Sequence, residues 1–592
     1  QYDAMKYLID NQGDYEIVDN KLMFQPALSS NGTDVRTRQE YASFYGPNAV
    51  LGSFSKNETG YTGVNFDMKK QAGNHELKLG AEFRKYTVRY YRIGTPEVLA
   101  FKFTSNTPLT SSEYTASADP TVTKYDTYQS YIDNYWFQTY KAGYAENMGY
   151  TIDGSEYLDD DLLTNKDGPR RPIIGGLFFQ DKVELNDLIM NLGLRYDYIN
   201  PNNFVFYDAA KIVLDGQGAI SERIYKDDKG AYSSYEATYD LDSVLIDGNG
   251  IDQLIKRKAE NIISPRLGLA FPVTDKTVFH AQYGKYVQQP ELNKLFVSYL
   301  RFAANLSAGN FTISGNPELE SVKTTSYEIG FKQQVGVTSS IDLTVFYKQL
   351  TGYVQVRNVK DASPVIYANY VNGDFGSVKG LSFSYNLRRT GYISAFLNYT
   401  LQAAGGTGST GDGQYKIAWQ SGNYPTFVSP LDFDQRHTGS ANLDFRTTQK
   451  DVIKEIGANF LFTFGSGRRY TPMVVASSVF PGTSDTPIAA LNSGTMPWVY
   501  QLDAKIDKNF SLMGVKFNTF IWIQNVLNKS NARNVYEGTG QADYDGWFST
   551  DIGKVWADNP VNNVELYNLR MNTPFNYEAP RTVLLGVRFF TE

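Results

Sequence analysis

Residues 264–287, SPRLGLAFPVTDKTVFHAQYGKYV, read as two short strands joined by a tight turn at Thr274-Asp275-Lys276. Apolar residues alternate with polar or small ones in both halves: Leu267, Leu269, Phe271 and Val273 against Arg266, Gly268, Ala270 and Pro272, then Phe279, Ala281 and Tyr283 against His280, Gln282 and Gly284. Because successive side chains of a strand point to opposite faces, one face meets an apolar medium and the other meets water or small polar groups. A half-buried soluble sheet gives the same pattern, so the fold depends on how often the hairpin recurs.

The same hairpin recurs along the chain. Alternating segments flank short turns predicted at Ala72-Gly73-Asn74, Asn186-Asp187, Gly336-Val337-Thr338 and Arg389-Thr390-Gly391. Further strands are predicted at 437–445, 458–465, 499–507, 515–526 and 582–590. Loops of tens of residues, such as 94–171 and 201–261, separate the hairpins. The pattern therefore predicts about fifteen strands that are connected alternately by short turns and long loops.

This sorting of the connections decides the fold class. A barrel that crosses an outer membrane has short periplasmic turns and long external loops, whereas a soluble sandwich has no reason to sort its loops. We therefore predict an all-β fold, a transmembrane antiparallel β-barrel with long extracellular loops, in which closure removes the sheet edges. Residues 1–59 are predicted to be an extracellular loop or linker, and residues 60–592 the C-terminal part of the barrel. Bacterial single-chain barrels have an even number of strands, so we expect either missing N-terminal strands or a count off by one.

Composition excludes several other classes of protein. The 592 residues carry a formal charge of −7 and no cysteine, and 15% of them are aromatic. The sequence has no basic stripe of the kind that would indicate a nucleic-acid partner. The absence of cysteine excludes disulfides and thiolate metal sites. The sequence contains no run of 18 apolar residues, so it predicts no transmembrane helix. With three separated histidines and no paired carboxylates, we predict no enzyme, no metal and no cofactor.

Several motifs resemble those of a known family. Residues 315–320, GNPELE, followed by TTSYEIGFK at 324–332, resemble the GNPxLxPE-T-x-YE-G stretch of TonB-dependent outer-membrane transporters, with Ser321-Val322 replacing the usual second proline and acid. Ser264-Pro265-Arg266-Leu267-Gly268, together with Tyr283-Gly284-Lys285-Tyr286, is similar to a pattern of the Oar-like branch, and Asp434-Gln435-Arg436-His437 resembles its DQRH strand entry. Residues 522–528, WIQNVLN, and 580–590 resemble the family's late and closing strands.

The resemblance implies a barrel of 22 strands, filled by an N-terminal plug on which TonB pulls. This sequence contains neither the plug nor a TonB box, so TonB would act through a plug domain that is not part of this chain. The first strand seen here would be about the eighth, which agrees with the odd count. The Oar-like branch often carries a further carboxypeptidase-regulatory-like domain before the plug, also not found in this sequence.

Charged residues at the inward positions of these strands are the first candidate site. They are Glu76, Lys78, Glu82, Arg84, Arg195, Arg266, Glu328, Lys332 and Arg588. They could form ion pairs with a plug or guide a ligand, or they could simply solvate a lumen that must be polar in either case.

Aromatic and acidic loop residues are the second set of candidates. Tyr128, Tyr131, Tyr135 and Trp136, and later Phe296, Tyr299 and Phe302, could form an aromatic platform for a ligand or could pack loops together. The acidic segments 159–161 and 247–250 are typical of calcium loops, but the full EF-hand pattern is absent, which favours ordinary solvated turns.

These observations lead to a functional hypothesis with two alternatives. We expect TonB-driven import of a bulky siderophore, oligosaccharide or peptide across the bacterial outer membrane, with the long loops extracellular, the C-terminus periplasmic and lipid around the barrel. The first alternative is a passive porin or channel of about 14–16 strands. The second is a structural or secretion-linked protein whose loops dock a surface lipoprotein or another envelope partner.

Overall fold

The computed structural model of the chain describes residues 16–18, 21–23, 54–93, 145–150, 156, 167–214, 220–221, 223–226, 232–233, 251–413, 424, 427–448, 450–479, 486–512, 515–560 and 562–590. The predicted loop segment at 128–142 and both predicted acidic loops lie outside these residues.

Fifteen strands of nine or more residues form one antiparallel sheet that curves into a barrel. In chain order they are β1 Phe54–Ala72, β2 His75–Ile93, β3 Ile173–Leu185, β4 Leu188–Asn200, β5 Glu260–Thr274, β6 Thr277–Gln288, β7 Val322–Val335, β8 Ser339–Asn358, β9 Ala368–Thr390, β10 Ile393–Gly406, β11 His437–Arg446, β12 Ile456–Gly465, β13 Val499–Leu512, β14 Val515–Gln524 and β15 Thr582–Phe590. The predicted fold class and strand count are confirmed. The first strand begins at Phe54, six residues before the predicted boundary at 60.

The connections alternate between short and long, as the sequence predicts. Turns of two residues follow β1, β3 and β5, whereas 94–172 and 525–581 are long excursions. The connection between β8 and β9 differs from the expectation of tens of residues, because it spans only 359–367. These two strands have 20 and 23 residues and continue to pair beyond the length needed to cross a membrane, so most of that excursion is itself β-structure.

Strand register places the apolar side chains on one face of the sheet. We call it the apolar face, and the opposite one the polar face. Ile329 lies opposite Val345, and each is 55% exposed. Phe279 links neighbouring strands on this face, because its ring centroid lies 5.1 Å from that of Phe271 and 5.2 Å from that of Phe331. Large apolar side chains left this exposed on a regular sheet indicate an apolar medium around it.

One ion pair lies on the apolar face, near the short turns. The Nδ1 atom of His75 is 2.8 Å from the Oδ2 atom of Asp181, and Asp181 lies opposite Leu77 and Leu192. The cost of a charge on a lipid-facing surface falls toward the membrane boundary, so this position beside the turns is where such a pair is tolerated.

Short helices and small strands lie between the barrel strands and before β1. The helices are α1 Leu292–Leu295, α2 Tyr299–Ser307, α3 Asp551–Ala557 and α4 Val564–Met571, with 3₁₀ turns at Trp547–Ser549 and Pro574–Asn576. The short strands are Glu16–Val18, Lys21–Met23, Ala145–Met148, Phe204–Phe206, Arg223–Lys226, Tyr232–Ser233, Ile251–Asp252, Leu254–Lys256, Ile313–Ser314, Ser429–Pro430, Arg469–Tyr470 and Gly494–Thr495. Within the described residues, no helix has the length and apolar character needed to span a membrane.

The assignment of the two faces can be tested with a pair of neighbouring residues. Because the chain has no cysteine, Ile329→Cys and Glu328→Cys each introduce a unique label site in it. We expect a bimane label at position 329 to be quenched strongly by brominated lipid, and the label at 328 to be quenched far less, since adjacent side chains of a strand face opposite ways. Equal quenching at both positions would contradict the assignment.

Candidate functional site

The polar face brings the predicted charged residues onto one continuous surface. Register carries this face from strand to strand: Glu82 lies opposite Gly176, Phe178 opposite Arg195, and Gly193 opposite Arg266. It continues through Gln282 opposite Glu328 and Lys332 opposite Asp342. Arg588, opposite Asn518, belongs to the same face near the end of the sheet.

Arg195 is the centre of a first cluster of charges. Its guanidinium forms ion pairs with Glu82, 113 residues away in sequence, and with Asp197, whose Oδ1 atom lies 2.8 Å from Nε. Glu82 also lies 3.1 Å from the Nη2 atom of Arg84. Gly176 leaves the necessary space, because a Cβ atom there would be 2.5 Å from Nη2 of Arg195. The structure thus joins three predicted residues, and it adds Asp197, which shares a face with Arg195 two residues earlier and could have been found from that spacing.

A second cluster, which sequence reasoning missed, lies near the short turns. Arg446 binds Asp507 and Asp444, with Nη1 3.2 Å from the first and Nε 3.1 Å from the second. Asp444 also pairs with Arg389 from two strands away, and Asn518 donates to Asp507 at 2.9 Å. These ion pairs join residues that are distant in sequence. They result from the register between strands, so no local sequence motif predicts them.

Three lysines on the polar face share one local arrangement. Lys78, Lys348 and Lys505 place their ammonium groups over the rings of Phe178, Phe346 and Phe520, at 5.2, 5.5 and 4.6 Å from the ring centroids. Each ring covers a glycine of the neighbouring strand: Gly80, Gly380 and Gly586. A Cβ atom at these glycines would come within 2.6 Å of the ring. Glycine therefore makes room for an inward aromatic ring, and the ring then holds a cation.

Acids and bases on this face differ in how completely they are paired. The predicted acids Glu76, Glu82 and Glu328 each lie within 4 Å of a lysine or arginine. Among the described residues, the bases Arg266, Lys332, Lys505 and Arg588 have no carboxylate within that distance. Some bases of the polar face are therefore not ion-paired with any carboxylate of the described residues.

The three predicted loop aromatics that the structure describes are buried in two neighbouring clusters of apolar side chains and not exposed as a platform. Phe296, Tyr299 and Phe302 are 7%, 4% and 3% exposed, which favours the alternative of loop packing. The Tyr299 hydroxyl donates to the Phe204 carbonyl at 2.7 Å, and burial raises the pKa of this tyrosine. Tyr128, Tyr131, Tyr135 and Trp136 lie outside the described residues.

A buried arginine locks this loop core to the neighbouring loop. Arg170 lies 2.6 Å from the Oδ1 atom of Asp167, and both residues are 3% exposed. Its Nη2 atom also donates to the Val297 carbonyl at 2.6 Å, and its guanidinium stacks over the ring of Tyr299. The buried charge is thus paired with Asp167, and both of its Nη atoms donate hydrogen bonds, which offsets the cost of burying it.

The comparisons with known proteins agree with this architecture. A family model described as TonB dependent receptor-like, beta-barrel, matches residues 3–526. The chain belongs to this family. No curated protein matches it.

The solved structures to which the receptor barrel is similar include a transporter and two receptors. The unliganded ferric citrate transporter FecA is 12% identical, with a TM-score of 0.43, covering 91% of this chain and 55% of FecA. The ferric-catecholate import receptor Fiu from E. coli K12 is 13% identical, with a TM-score of 0.44 and coverages of 91% and 55%. The siderophore receptor PirA from Acinetobacter baumannii is 14% identical, with a TM-score of 0.44 and coverages of 82% and 52%. The chain spans about half the length of these structures.

The sequence motifs of the receptor barrel have structural roles where strands meet loops. Gly315 packs so closely that a Cβ atom would lie 2.1 Å from the Phe296 carbonyl oxygen. Asn316 accepts from the Glu318 N–H at 2.9 Å and donates to the Tyr370 carbonyl at 2.8 Å. Leu319, 1% exposed, lies in a separate cluster of buried apolar residues together with Phe296.

Two charged residues complete these junctions. Arg257 donates to the Leu319 carbonyl at 3.0 Å, and its burial lowers its pKa. Asp434, in the DQRH stretch, is fully buried, accepts from the Ala404 N–H at 2.8 Å, and lies 2.9 Å from Arg436 and 3.2 Å from Arg469. Both motifs therefore fix the entry of loops into strands.

The Arg195 cluster predicts a loss of stability on substitution. Arg195→Gln leaves Glu82 and Asp197 without their shared cation, and we expect a loss of about 1–3 kcal/mol in the free energy of unfolding. Urea titration of the protein folded in detergent measures it. Arg588→Gln removes the same charge from an unpaired position on the same face, and should cost less than about 0.5 kcal/mol. Equal losses would contradict the central role of Arg195.

The close approach at Gly315 predicts a loosened loop. Gly315→Ala should force residues 315–319 away from Phe296, at a cost of about 1–3 kcal/mol. We expect faster trypsin cleavage after Lys294 and Arg301, while the heat-modifiable mobility of the barrel stays unchanged. Gly60→Ala is the matched control, since a Cβ atom there has no neighbour within 4 Å. An unchanged cleavage rate in Gly315→Ala would show that the contact is not needed.

Proposed function

We propose that this chain is the barrel of a TonB-dependent outer-membrane transporter that imports a bulky ligand with energy delivered through TonB. The observation that carries the proposal is the family match over residues 3–526. Because the chain spans about half of its solved neighbours, the activity of the whole protein, including its plug, is part of the proposal.

The polar face supports the plug as partner. In this proposal the polar face lines the lumen, and its charged residues would meet a plug or the passing ligand. These residues are Glu76, Lys78, Glu82, Arg84, Arg195, Arg266, Glu328, Lys332 and Arg588. The paired members of this set hold the wall together, whereas the unpaired bases remain available for an acidic partner. A base that faces a lumen without its own carboxylate gains most from a complementary charge brought by another segment.

The apolar face and the connections support the membrane orientation. Lipid would surround residues such as Ile329 and Val345, with the two-residue turns in the periplasm and the long loops outside the cell. The C-terminal strand β15 then descends to the periplasm. We propose the bacterial outer membrane as the location.

The packing of the loops favours a bulky ligand but does not identify it. The loop core around Tyr299 and a second core around Trp547, Tyr567 and Met571 are packed structures. In the second, Tyr567 donates to Asp545, and burial raises the pKa of Tyr567. Packed loops present a fixed surface at lower entropic cost than mobile ones, which suits recognition of a large siderophore, oligosaccharide or peptide. A surface lipoprotein or other envelope partner could add to that surface, and no catalysis is proposed for it.

The motifs support the Oar-like branch as the place of this chain within the family. Residues 264–268, 283–286 and 434–437 carry the resemblance.

The experiment is a comparison of uptake with and without TonB. Cells lacking the full-length gene should fail to take up at least one bulky nutrient under limitation, and cells lacking TonB function should show the same defect. Complementation with the full-length gene should restore uptake only when TonB is present.

Planar-bilayer recordings separate this function from that of a passive channel. The full-length protein should give no stable conductance at physiological voltage, because a plug fills the barrel, whereas an open porin measured alongside conducts. Stable open-channel conductance together with TonB-independent uptake would contradict the proposal. Normal growth on every nutrient, with stable copurifying partners, would instead support a docking role.

A further inference from the structure

A recess of about 420 Å³ lies on the polar face between strands β3 and β6. Its polar lining comes from four strands: Gln180, Asn191, Arg266, His280, Gln282 and Tyr286. Among the residues that the structure describes, no aspartate or glutamate lines it. The recess therefore combines a guanidinium and three side-chain amides in a space large enough for a small organic ion.

Arg266 is held in place without being neutralised. Its guanidinium carbon lies 4.8 Å from the ring centroid of Tyr286, and no carboxylate of the described residues comes within ion-pair distance. Tyr286 is fixed in turn, because Gln282 donates to its hydroxyl at 3.4 Å and Gly284 leaves the space that the ring fills. Stacking on an aromatic ring positions an arginine while leaving its N–H donors available.

His280 has one ring nitrogen committed by its neighbours. Nε2 lies 3.1 Å from the Thr344 hydroxyl oxygen, and that hydroxyl donates to Asp342 at 3.0 Å. Because the single hydroxyl proton is used on Asp342, Nε2 of His280 must be the donor to Thr344. The imidazole is seated over Gly330, where a Cβ atom would lie 2.5 Å from Nε2. The ring is thus a fixed wall of the recess.

We propose that this recess binds an oxyanion, in particular a carboxylate, through Arg266 with help from the amides of Gln180, Asn191 and Gln282. The guanidinium fork matches two carboxylate oxygens, and the amides add neutral donors. Because no described residue of the lining is acidic, Arg266 lacks the internal competitor that Arg195 has in Glu82. The carboxylate belongs either to a small ligand or to an acidic side chain of a peptide ligand that enters the barrel.

The inference rests on the proposed function, since it takes the polar face to be the wall of the transport path. Its test needs neither TonB nor growth, so the two can fail separately. Isothermal titration calorimetry of the full-length protein in detergent uses two probes. One is succinate, with succinamide as its uncharged match. The other is a glycine-serine peptide with three aspartates, with an asparagine version as its match.

Three variants make the measurement specific. Arg266→Gln should weaken binding of at least one acidic probe about tenfold or more, as expected when a charge-assisted hydrogen bond is lost. Arg266→Lys should fall between this variant and the unsubstituted protein, because it keeps the charge and loses the fork. Lys505→Gln removes an equally unpaired cation that is also stacked on a ring but lies outside the recess, and should change affinity less than about threefold. Unchanged heat-modifiable mobility verifies that each variant is folded.

Each result decides the question. Sensitivity of succinate binding to Arg266→Gln assigns the site to a small ligand, and sensitivity of the peptide alone assigns it to a polypeptide carboxylate. The proposal is overturned if neither acidic probe binds, if the amide probes bind equally well, or if Lys505→Gln weakens binding as much as Arg266→Gln. The last result would mean that only the general charge of the lumen matters.

Discussion

The two-residue period of the β-strand is the constraint on which the rest of this structure depends. In a sheet that crosses a membrane, neighbouring strands satisfy the backbone groups, so the side chains alone decide which medium each face can meet. An arginine or lysine facing lipid at the membrane centre costs about 2–4 kcal/mol. Glu328 and Ile329 are adjacent in sequence, yet the carboxylate lies 3.8 Å from Lys348 while the apolar side chain lies opposite Val345. A slip of one residue would exchange these environments along the whole strand, so register and charge placement stabilise each other.

The polar face must also accommodate large side chains, and it does so with glycine. An aromatic ring that points inward needs space above the neighbouring strand, and Gly80, Gly380 and Gly586 provide it. The same device serves Arg195 over Gly176 and His280 over Gly330. Each pairing lets a strand contribute a bulky group without pushing its neighbour away. The glycines of these strands are thus part of the wall, and their cost in strand stability is offset by the ring or guanidinium that covers them.

Much of the architecture could be predicted from the sequence because it depends on local patterns. Alternation located the hairpin at 264–287, and the structure places its turn at Asp275-Lys276 with Arg266 and His280 on one face. What could not be predicted depends on register between distant strands: the pairing of Arg195 with Glu82 spans 113 residues. The sequence left two roles open for Tyr299, ligand contact or loop packing, because an aromatic residue in a loop looks the same in either case, and the structure shows it buried. The motif at 315–320 was recognisable, but its reason, the contact of Gly315 with the Phe296 backbone, required coordinates.

The net charge of the whole chain does not describe the charges on the polar face of the sheet. The formal charge is −7, which by itself indicates an acidic protein. On the polar face, however, Glu76, Glu82 and Glu328 each lie within 4 Å of a lysine or arginine, whereas Arg266 and Arg588 have no carboxylate of the described residues within that distance. At a surface with low-dielectric surroundings, unpaired bases of this kind contribute more to the local electrostatic potential than distant charges on the loops do. If the polar face lines the transport path, as proposed, a carboxylate that reaches it finds unpaired bases such as Arg266 and Arg588.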